Sequence, residues 1–249
     1  MPRYGLIGYP LTHSFSQRYF TEKFAREGIA DSRYDLFELP AIDGLTDVLQ
    51  TPDLRGLNVT IPHKQVVLPY LDRLDASARK VGAVNVIRLE QDGSRTGYNS
   101  DYYGFKTSLS NWFYELGISL LSYNGQALVL GTGGASKAIT AALTDLKIAY
   151  RLVSRHKSPE TITYDELPTF IHNYRLIINC SPVGTYPHTD EAPDLPYGQI
   201  TDWHLFYDLV YNPAETLFMK LGRERGCATH NGLRMLELQA EKAWEIWQS

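Results

Sequence analysis

The feature that most constrains this chain is a glycine-rich loop that lies between an apolar run and a helical pattern. In order, the chain has an apolar run at 127–130, the loop at 131–136, a helical pattern at 135–146 and a β-prone run at 149–153. This order is typical of a βαβ unit that binds a dinucleotide. The first glycine would permit the tight turn, the second would let the backbone approach a pyrophosphate, and the helix would direct unpaired N–H groups at the anion.

The loop residues that could contact such a cofactor are Gly131, Thr132, Gly133, Gly134 and Ala135. The match to the GxGxxG pattern is incomplete, because Ser136 stands in the place of the third glycine. A plain strand–turn–helix therefore stays open as an alternative for the loop taken alone. A kinase-type P-loop is improbable, because that motif needs Ser or Thr after its lysine and Ala138 follows Lys137.

The turn after the second strand of this unit is basic. Its residues are Ser154, Arg155, His156 and Lys157. An NAD-binding unit usually places Asp or Glu here for the ribose diol, whereas an NADP-binding unit offers positive charge to the 2′-phosphate. Because the turn has no carboxylate and Arg155 can hold a phosphate through two hydrogen bonds, it favours NADP. The alternative is a basic turn that is merely solvated.

The rest of the chain alternates β-prone runs with helical patterns, which predicts an α/β fold with a mostly parallel sheet. Strands are predicted at 4–8, 34–39, 56–60, 83–89, 127–130, 149–153, 176–179, 206–209 and 228–229. Helices are predicted at 16–27, 42–49, in pieces over 64–81, after 101, and at 135–146, 216–225 and 233–247. With 249 residues the chain could form one large domain or two smaller ones, and we predict two.

Charge and composition limit the partners. The formal net charge is −4 and no run of Lys and Arg occurs, which argues against a nucleic-acid or membrane-surface partner. The first residues do not resemble a secretory signal and no apolar stretch reaches membrane-spanning length, so we expect a cytoplasmic protein. Cys180 and Cys227 are far apart in sequence, which predicts reduced thiols rather than a disulfide framework.

Two polar clusters ahead of the glycine loop contain side chains that can handle a proton. Lys64 ends the cluster at 58–64, and Asp101 ends the cluster at 99–101. With a cofactor that takes hydride, such a pair would supply what an alcohol-oxidising enzyme needs. Other roles stay open, since Lys64 could be a surface lysine and Asn99 or Asp101 could cap the helix that follows.

Two histidines adjoin the polar segments and could be proposed as the proton carrier instead. They are His13 and His63. The seven histidines of the chain are scattered, without an HExxH motif or any cluster that has metal-ligand spacing. No metal site is therefore predicted.

Six segments in the same order give the chain a resemblance to the shikimate dehydrogenase family over nearly its whole length. The segments are 8–16, 58–64 (similar to NVTxPxK), 82–85 (GAVN), 99–101 (similar to NTD), 131–135 and 231–240. Six matches in this order are far more specific than any one of them.

The resemblance implies reversible reduction of 3-dehydroshikimate to shikimate with NADPH, on the route to chorismate and the aromatic amino acids. It implies that Lys64 stabilises the developing alkoxide and relays its proton, while Asp101 orients the lysine and the ring. The implied substrate contacts are Ser14, Ser16, Thr60, Asn85, Tyr211 and Gln239, of which the two serines and the tyrosine serve the carboxylate. Leu209 and Gly232 join the glycine loop and the basic turn as implied cofactor contacts.

We predict a substrate domain of residues 1–101, completed by the last helix at 232–249, and a Rossmann-like NADP-binding domain of residues 102–231. The small-molecule substrate would lie in the cleft between them, and the two-stranded connection would suit closure that excludes water. A monomer and a homodimer both stay open.

Three positions depart from the residues usual in the family. Gln17 stands in place of Pro, Ser100 in place of Thr, and Ser154 in place of Asn. The first two keep the polarity of the site, and the third bears on how the adenosine phosphate is recognised. Rival functions are a quinate/shikimate dehydrogenase that uses NAD and a catalytically silent sensor of a shikimate-like ligand or a dinucleotide. Loss of Lys64 or Asp101 would favour the sensor, and both are present.

Overall fold

The structure, a computed structural model, describes residues 1–11 and 14–249. The chain forms two compact units, one of Met1–Tyr103 with Gln239–Ser249 and the other of Gly104–Leu238. The polypeptide therefore leaves the first unit once and returns to it near its end. His13, considered above as a proton carrier, lies outside the described residues.

The first unit is built on a six-stranded sheet with the order β2-β1-β3-β5-β6-β4. The strands are β1 (Arg3–Gly8), β2 (Arg33–Glu38), β3 (Leu54–Val59), β4 (Arg73–Leu74), β5 (Val86–Leu89) and β6 (Arg95–Tyr98). The helices are α1 (Phe15–Arg26), α2 (Leu45–Leu49), α3 (His63–Val66) and α4 (Ala76–Val81), with the start of α5 (Ser100–Glu115) and most of α9 (Leu233–Gln248).

The pairing in this sheet is parallel except around β5. β1 is parallel to β2 and β3, and β4 is parallel to β6, whereas β5 runs antiparallel to both β3 and β6. The short connection between β5 and β6 accounts for the antiparallel pairing of these two strands, because only antiparallel strands can be joined by a tight turn. β4 and β6 are strands that the sequence analysis did not predict.

The last helix completes the core of the first unit. The Trp247 ring centroid lies 4.9 Å from that of Tyr4 and 5.3 Å from that of Phe20. Its indole N–H donates to the carbonyl oxygen of Ile87 at 3.1 Å. A Cβ built at Gly56 would lie 2.1 Å from the indole nitrogen, so glycine in β3 is what lets the ring come this close.

The second unit has a sheet in which every strand pair is parallel, with the order β12-β11-β10-β7-β8-β9. The strands are β7 (Gln126–Leu130), β8 (Tyr150–Val153), β9 (Thr161–Ile162), β10 (Tyr174–Asn179), β11 (Leu205–Asp208) and β12 (Ala228–His230). The helices α6 (Gly134–Asp145), α7 (Leu167–Phe170) and α8 (Leu217–Arg223) follow β7, β9 and β11. Among the helices in the described part of the chain, none is long and apolar enough to cross a membrane.

A fully buried carboxyl group lies at the end of β11. Asp208 accepts hydrogen bonds from Thr216 Oγ1 at 2.6 Å, from Asn179 Nδ2 at 2.9 Å and from Val210 N at 3.0 Å. Burial raises the pKa of Asp208 to about 6, although the three donors oppose this shift. The carboxyl group therefore gains its charge closer to neutral pH than an exposed aspartate does.

We expect this buried group to make the stability of the second unit depend on pH. Because the pKa of Asp208 is raised in the folded chain to about 6, the folded state holds a proton that the unfolded state has released between about pH 4 and pH 6. The contribution of this proton to the unfolding free energy is complete below about pH 4 and is lost as the pH rises through 6.

Asp208→Asn should remove that dependence. The unfolding free energy of the variant, relative to wild type, should rise by up to about 3 kcal/mol between pH 4 and pH 7. Urea denaturation of both proteins across this range measures the change. Parallel pH curves for variant and wild type would contradict the expectation.

Candidate active site

The side chains of Lys64 and Asp101 form an ion pair in the first unit. Lys64 Nζ lies 2.5 Å from Asp101 Oδ2, and only 19% and 13% of the two side chains are exposed. Lys64 lies in α3 and Asp101 in the first turn of α5, so the fold brings together residues 37 positions apart. Because both groups are largely shielded from water, salt screens their attraction less than that of a surface pair.

Backbone hydrogen bonds around Asn85 explain why these segments meet. Asn85 N donates to Tyr98 O at 3.0 Å, and Asn85 O accepts from Val59 N at 2.8 Å. Val84 N donates to Lys64 O at 2.7 Å. The polar residues that follow β3 and β6 therefore lie beside the residue that precedes β5.

Three buried polar side chains form a network in the same part of the first unit. Ser100 N donates to Asn85 Oδ1 at 2.6 Å, and Asn85 Nδ2 donates to Ser100 Oγ at 3.0 Å. Ser100 Oγ in turn donates to Gln239 Oε1 at 3.4 Å. Amide groups held in this way can distinguish the hydroxyl groups of a ligand, because a mismatched ligand leaves buried polar atoms unpaired.

The hydroxyl residues predicted to bind substrate follow β1 and β3. Ser14 is the N-cap of α1, where its Oγ accepts from Gln17 N at 3.2 Å, and Ser16 lies in the first turn; both are partly exposed. Thr60 comes directly after β3, and a Cβ built at Gly8 would lie 2.3 Å from Thr60 Cγ2. Since β1 and β3 are parallel neighbours, the segments that carry these three hydroxyl groups begin at the same edge of the sheet.

The structure separates the two residues that could have capped α5. Asn99 Oδ1 accepts from Tyr102 N at 3.0 Å, so Asn99 is the capping residue. The Asp101 carboxylate instead accepts from Lys64. Capping is therefore no alternative explanation for the position of Asp101.

His63 is enclosed by protein. Its ring is buried, and Nε2 donates to the Leu39 carbonyl oxygen at 2.6 Å. Among the described residues Nδ1 has no hydrogen-bond partner. This environment favours a structural role over exchange of a proton with substrate. Within the described ranges, no three His, Cys, Asp or Glu side chains are grouped so that they could hold a metal ion.

In the second unit the glycine loop occupies the position expected for a phosphate-binding turn. It follows β7, whose neighbours β8 and β10 lie on opposite sides, so the strand order reverses at this point. Gly131 has a φ of 103°, which favours glycine, and a Cβ built at Gly133 or Gly134 would meet nothing within 4 Å. Ser136 Oγ donates to Gly133 O at 2.7 Å and closes the turn in place of the third glycine. The N-terminus of α6 is therefore open to an anionic group such as a pyrophosphate.

The cations of the basic turn differ in their surroundings. Lys157 Nζ lies 2.6 Å from Glu166 Oε1, and this contact helps to lower the pKa of Glu166 to about 2. Glu166 Oε2 also accepts from the backbone and hydroxyl groups of Thr163, both at 2.9 Å. Arg155 is exposed, and within the described part of the chain no carboxylate forms an ion pair with it. The charge of Lys157 is therefore partly compensated by Glu166, whereas that of Arg155 is not compensated by any described carboxylate.

A cavity of about 600 Å³ connects the glycine loop with the basic turn. Its lining includes Thr132, Ser154, His156 and Lys157. His156 N donates to Ser154 Oγ at 3.2 Å, which shapes the turn at the end of β8. The two sequence segments predicted to bind the cofactor therefore border one space, although Arg155 itself is not among the residues that line it.

Two further predicted cofactor residues also come together. A Cβ built at Gly232 would lie 2.0 Å from the Leu209 carbonyl oxygen, so only glycine permits this approach. Gly232 N donates to Val210 O at 3.1 Å. Tyr211 is the next residue along the chain from Val210 and is partly exposed within the same unit.

Sequence reasoning missed some side chains that shape these sites. Glu166 was not considered, although the spacing from Thr163 to Glu166 is that of a capping box and could have indicated it. Tyr34 is buried and its hydroxyl group donates to Asn58 Oδ1 at 2.7 Å. No pattern in the sequence points to that contact.

Known proteins resemble this chain in sequence and in structure. The sequence profile of the shikimate dehydrogenase substrate-binding domain matches residues 6–87. A shikimate dehydrogenase (NADP(+)) of Clostridium beijerinckii is 38% identical, over 100% of this chain and 92% of its own.

Two solved structures extend the likeness to the fold. Shikimate dehydrogenase 1 of Peptoclostridium difficile has a TM-score of 0.84 and 36% identity, and the match covers 100% of this chain and 92% of that one. The Thermus thermophilus enzyme in complex with NADP(H) and shikimate has a TM-score of 0.82 and 28% identity, with 99% and 93% covered. The predicted α/β fold, with a substrate domain and a Rossmann-like domain, is confirmed. The chain belongs to the shikimate dehydrogenase family.

Proposed function

We propose that this chain catalyses the reversible, NADPH-dependent reduction of 3-dehydroshikimate to shikimate. The observation that carries the proposal is the shielded pair of Lys64 and Asp101, 2.5 Å apart, in the unit that also holds the Asn85 amide. Relatives that are named shikimate dehydrogenase (NADP(+)) support it, since they match nearly the whole chain.

The first unit is proposed as the substrate domain. A small polyhydroxylated carboxylic acid needs an anion site and several fixed hydroxyl partners, and this unit supplies both kinds of group. We assign Ser14 and Ser16 to the carboxylate, and Thr60, Asn85 and Gln239 to the ring hydroxyl groups. Tyr211, predicted to help at the carboxylate, belongs to the second unit, and its role stays a prediction.

Lys64 is proposed to move the proton. In the direction of reduction the carbonyl oxygen gains negative charge, which the Lys64 ammonium group would stabilise before it delivers a proton. Asp101 accepts a hydrogen bond from Lys64 Nζ and so fixes where that ammonium group lies. In the direction of oxidation the same lysine would receive the hydroxyl proton. The cofactor, when bound, supplies or accepts the hydride.

The second unit carries groups that fit NADP. We propose that the glycine loop residues Gly131, Thr132, Gly133, Gly134 and Ala135 hold the pyrophosphate at the start of α6. Arg155 would hold the 2′-phosphate, with Ser154, His156 and Lys157 around it. Leu209 and Gly232, which the family resemblance implies as cofactor contacts, are proposed as further contacts, and the backbones at these two residues approach each other closely.

Location and assembly are also proposals. We place the enzyme in the cytoplasm and expect a monomer or a homodimer. Analytical ultracentrifugation at micromolar concentration distinguishes these two states.

The first expected outcome concerns the reaction itself. Purified protein mixed with shikimate and NADP⁺ should reduce the nicotinamide, followed by absorbance, faster than with quinate or with NAD⁺. A preference for quinate and NAD⁺ would assign the chain to the neighbouring specificity. No turnover in any of the four combinations by a folded protein would instead support the silent sensor.

The second expected outcome concerns Lys64. Lys64→Ala should lower kcat by about 10²- to 10⁴-fold, because the proton donor and the stabilising charge are both lost. The Kd for NADP⁺, measured by isothermal titration calorimetry, should stay nearly unchanged. Lys80→Ala removes an exposed lysine of the same unit and serves as the matched control. Turnover in Lys64→Ala close to that of the control would contradict the proposed role.

The third expected outcome concerns cofactor choice. Arg155→Gln should raise the Kd for NADP⁺ by about 10- to 100-fold, since a charge-assisted hydrogen bond contributes about 1.5–3 kcal/mol. The Kd for NAD⁺ should change little, because NAD⁺ lacks the 2′-phosphate. Arg151→Gln, which removes an exposed arginine of β8, is the control. An equal rise in the Kd for both cofactors would show that Arg155 does not bind the 2′-phosphate.

A further inference from the structure

We infer that Ser100 is a positioning residue, whose hydroxyl group sets the orientation of the Asn85 and Gln239 amides that meet the substrate ring. This inference rests on the function proposed above. It assigns to the serine of the 99–101 segment a part in substrate selection that is distinct from the roles of its neighbours Asn99 and Asp101.

Ser100 is only 1% exposed and makes three side-chain or backbone hydrogen bonds to neighbouring amides. Its backbone N–H donates to Asn85 Oδ1 at 2.6 Å, and its Oγ accepts from Asn85 Nδ2 at 3.0 Å. The single hydroxyl hydrogen is then donated to Gln239 Oε1 at 3.4 Å. One buried serine thereby contacts two amides that are proposed to bind substrate.

The directions of these hydrogen bonds determine which atom of each side-chain amide is the oxygen and which is the nitrogen. A backbone N–H can only donate, so the Asn85 atom that it meets must be the carbonyl oxygen. Asn85 therefore presents its NH₂ group to Ser100 Oγ, and a second hydrogen of that group is left for a ligand oxygen. The hydroxyl hydrogen then requires an acceptor, which fixes the Gln239 carbonyl oxygen on the side of Ser100.

The Ser100 hydroxyl group contributes hydrogen bonds as well as packing. Without Oγ, the Asn85 amide keeps its bond from Ser100 N, but the buried Gln239 carbonyl oxygen loses the hydrogen bond from this hydroxyl group. A buried amide that loses a hydrogen bond is held less firmly, so it can rotate or admit water. The misplaced Gln239 would then meet the substrate less well, whereas the cofactor residues of the second unit would be unaffected.

A second buried serine allows a positioning effect of Ser100 to be distinguished from a loss of stability. Ser108 lies on the same helix, is also fully buried, and its Oγ accepts from Tyr207 OH at 2.9 Å. Ser108→Ala therefore removes a comparable buried hydroxyl group that has no contact with the proposed substrate residues. Any loss of stability common to both alanine variants can be subtracted by comparing them.

The experiment measures the KM for shikimate, kcat, the Kd for NADP⁺ and the unfolding midpoint for each variant. We expect Ser100→Ala to raise the KM about tenfold, the effect of one lost buried hydrogen bond, while the Kd for NADP⁺ and most of kcat are retained. Ser100→Thr keeps the hydroxyl group and should restore the wild-type KM. Ser108→Ala should leave the KM unchanged.

A double-mutant cycle with Gln239→Ala completes the test. If Ser100 acts through Gln239, then Ser100→Ala should raise the KM much less in the Gln239→Ala background than in wild type. An unchanged KM in Ser100→Ala, or equal factors in both backgrounds, would overturn the inference and leave the proposed function standing. No turnover of shikimate by the wild-type protein, or no effect of Gln239→Ala on the KM, would instead overturn the proposed site, and this inference with it.

Discussion

The backbone hydrogen bonds of Asn85 are the constraint on which the site of the first unit depends. They tie the start of β5 to the ends of β3 and β6. Because β5 is antiparallel to both neighbours, the residue that precedes it lies at the edge where their carboxyl ends lie. Had β5 run parallel, Asn85 would lie at the opposite edge of the sheet, away from Lys64 and Asp101. The direction of β5 relative to both neighbours thus decides which polar residues can work together.

Much of the fold could be predicted from local patterns, and the failures have a common cause. The buried strands of the second unit read as continuous apolar runs, and the loop before α6 is marked by glycine, so this unit was recognisable. β6 was missed because its four residues, Arg95–Tyr98, include a glycine and an arginine and lack a clear alternation. β6 exists as a strand because it pairs with β5. β9 was also not predicted, and it has only two residues. The sequence of one strand alone does not show which other strand it pairs with.

For the site, it was easier to predict which residues take part than to predict which side chains they contact. The sequence motifs single out Lys64 and Asp101, but nothing in the intervening residues shows that the two side chains touch. Lys157 was grouped with Arg155 as a phosphate ligand, whereas the fold brings Glu166 to it across nine positions. Likewise Asn99 and Asp101 looked equally suited to capping until the geometry separated them. Such choices depend on tertiary contacts that no local spacing encodes.

The contact of Trp247 with β3 has a consequence for how the protein is made. The indole ring that fills the space above Gly56 belongs to residues 239–249, which complete the unit formed by residues 1–103. During synthesis, which adds about 5–20 residues per second, the first unit emerges early, yet it must wait with an incomplete core until the whole second unit has been translated. The nascent first unit therefore exposes apolar surface around Tyr4 and Phe20 for that interval. The unit whose translation begins first is therefore the unit whose core is completed last.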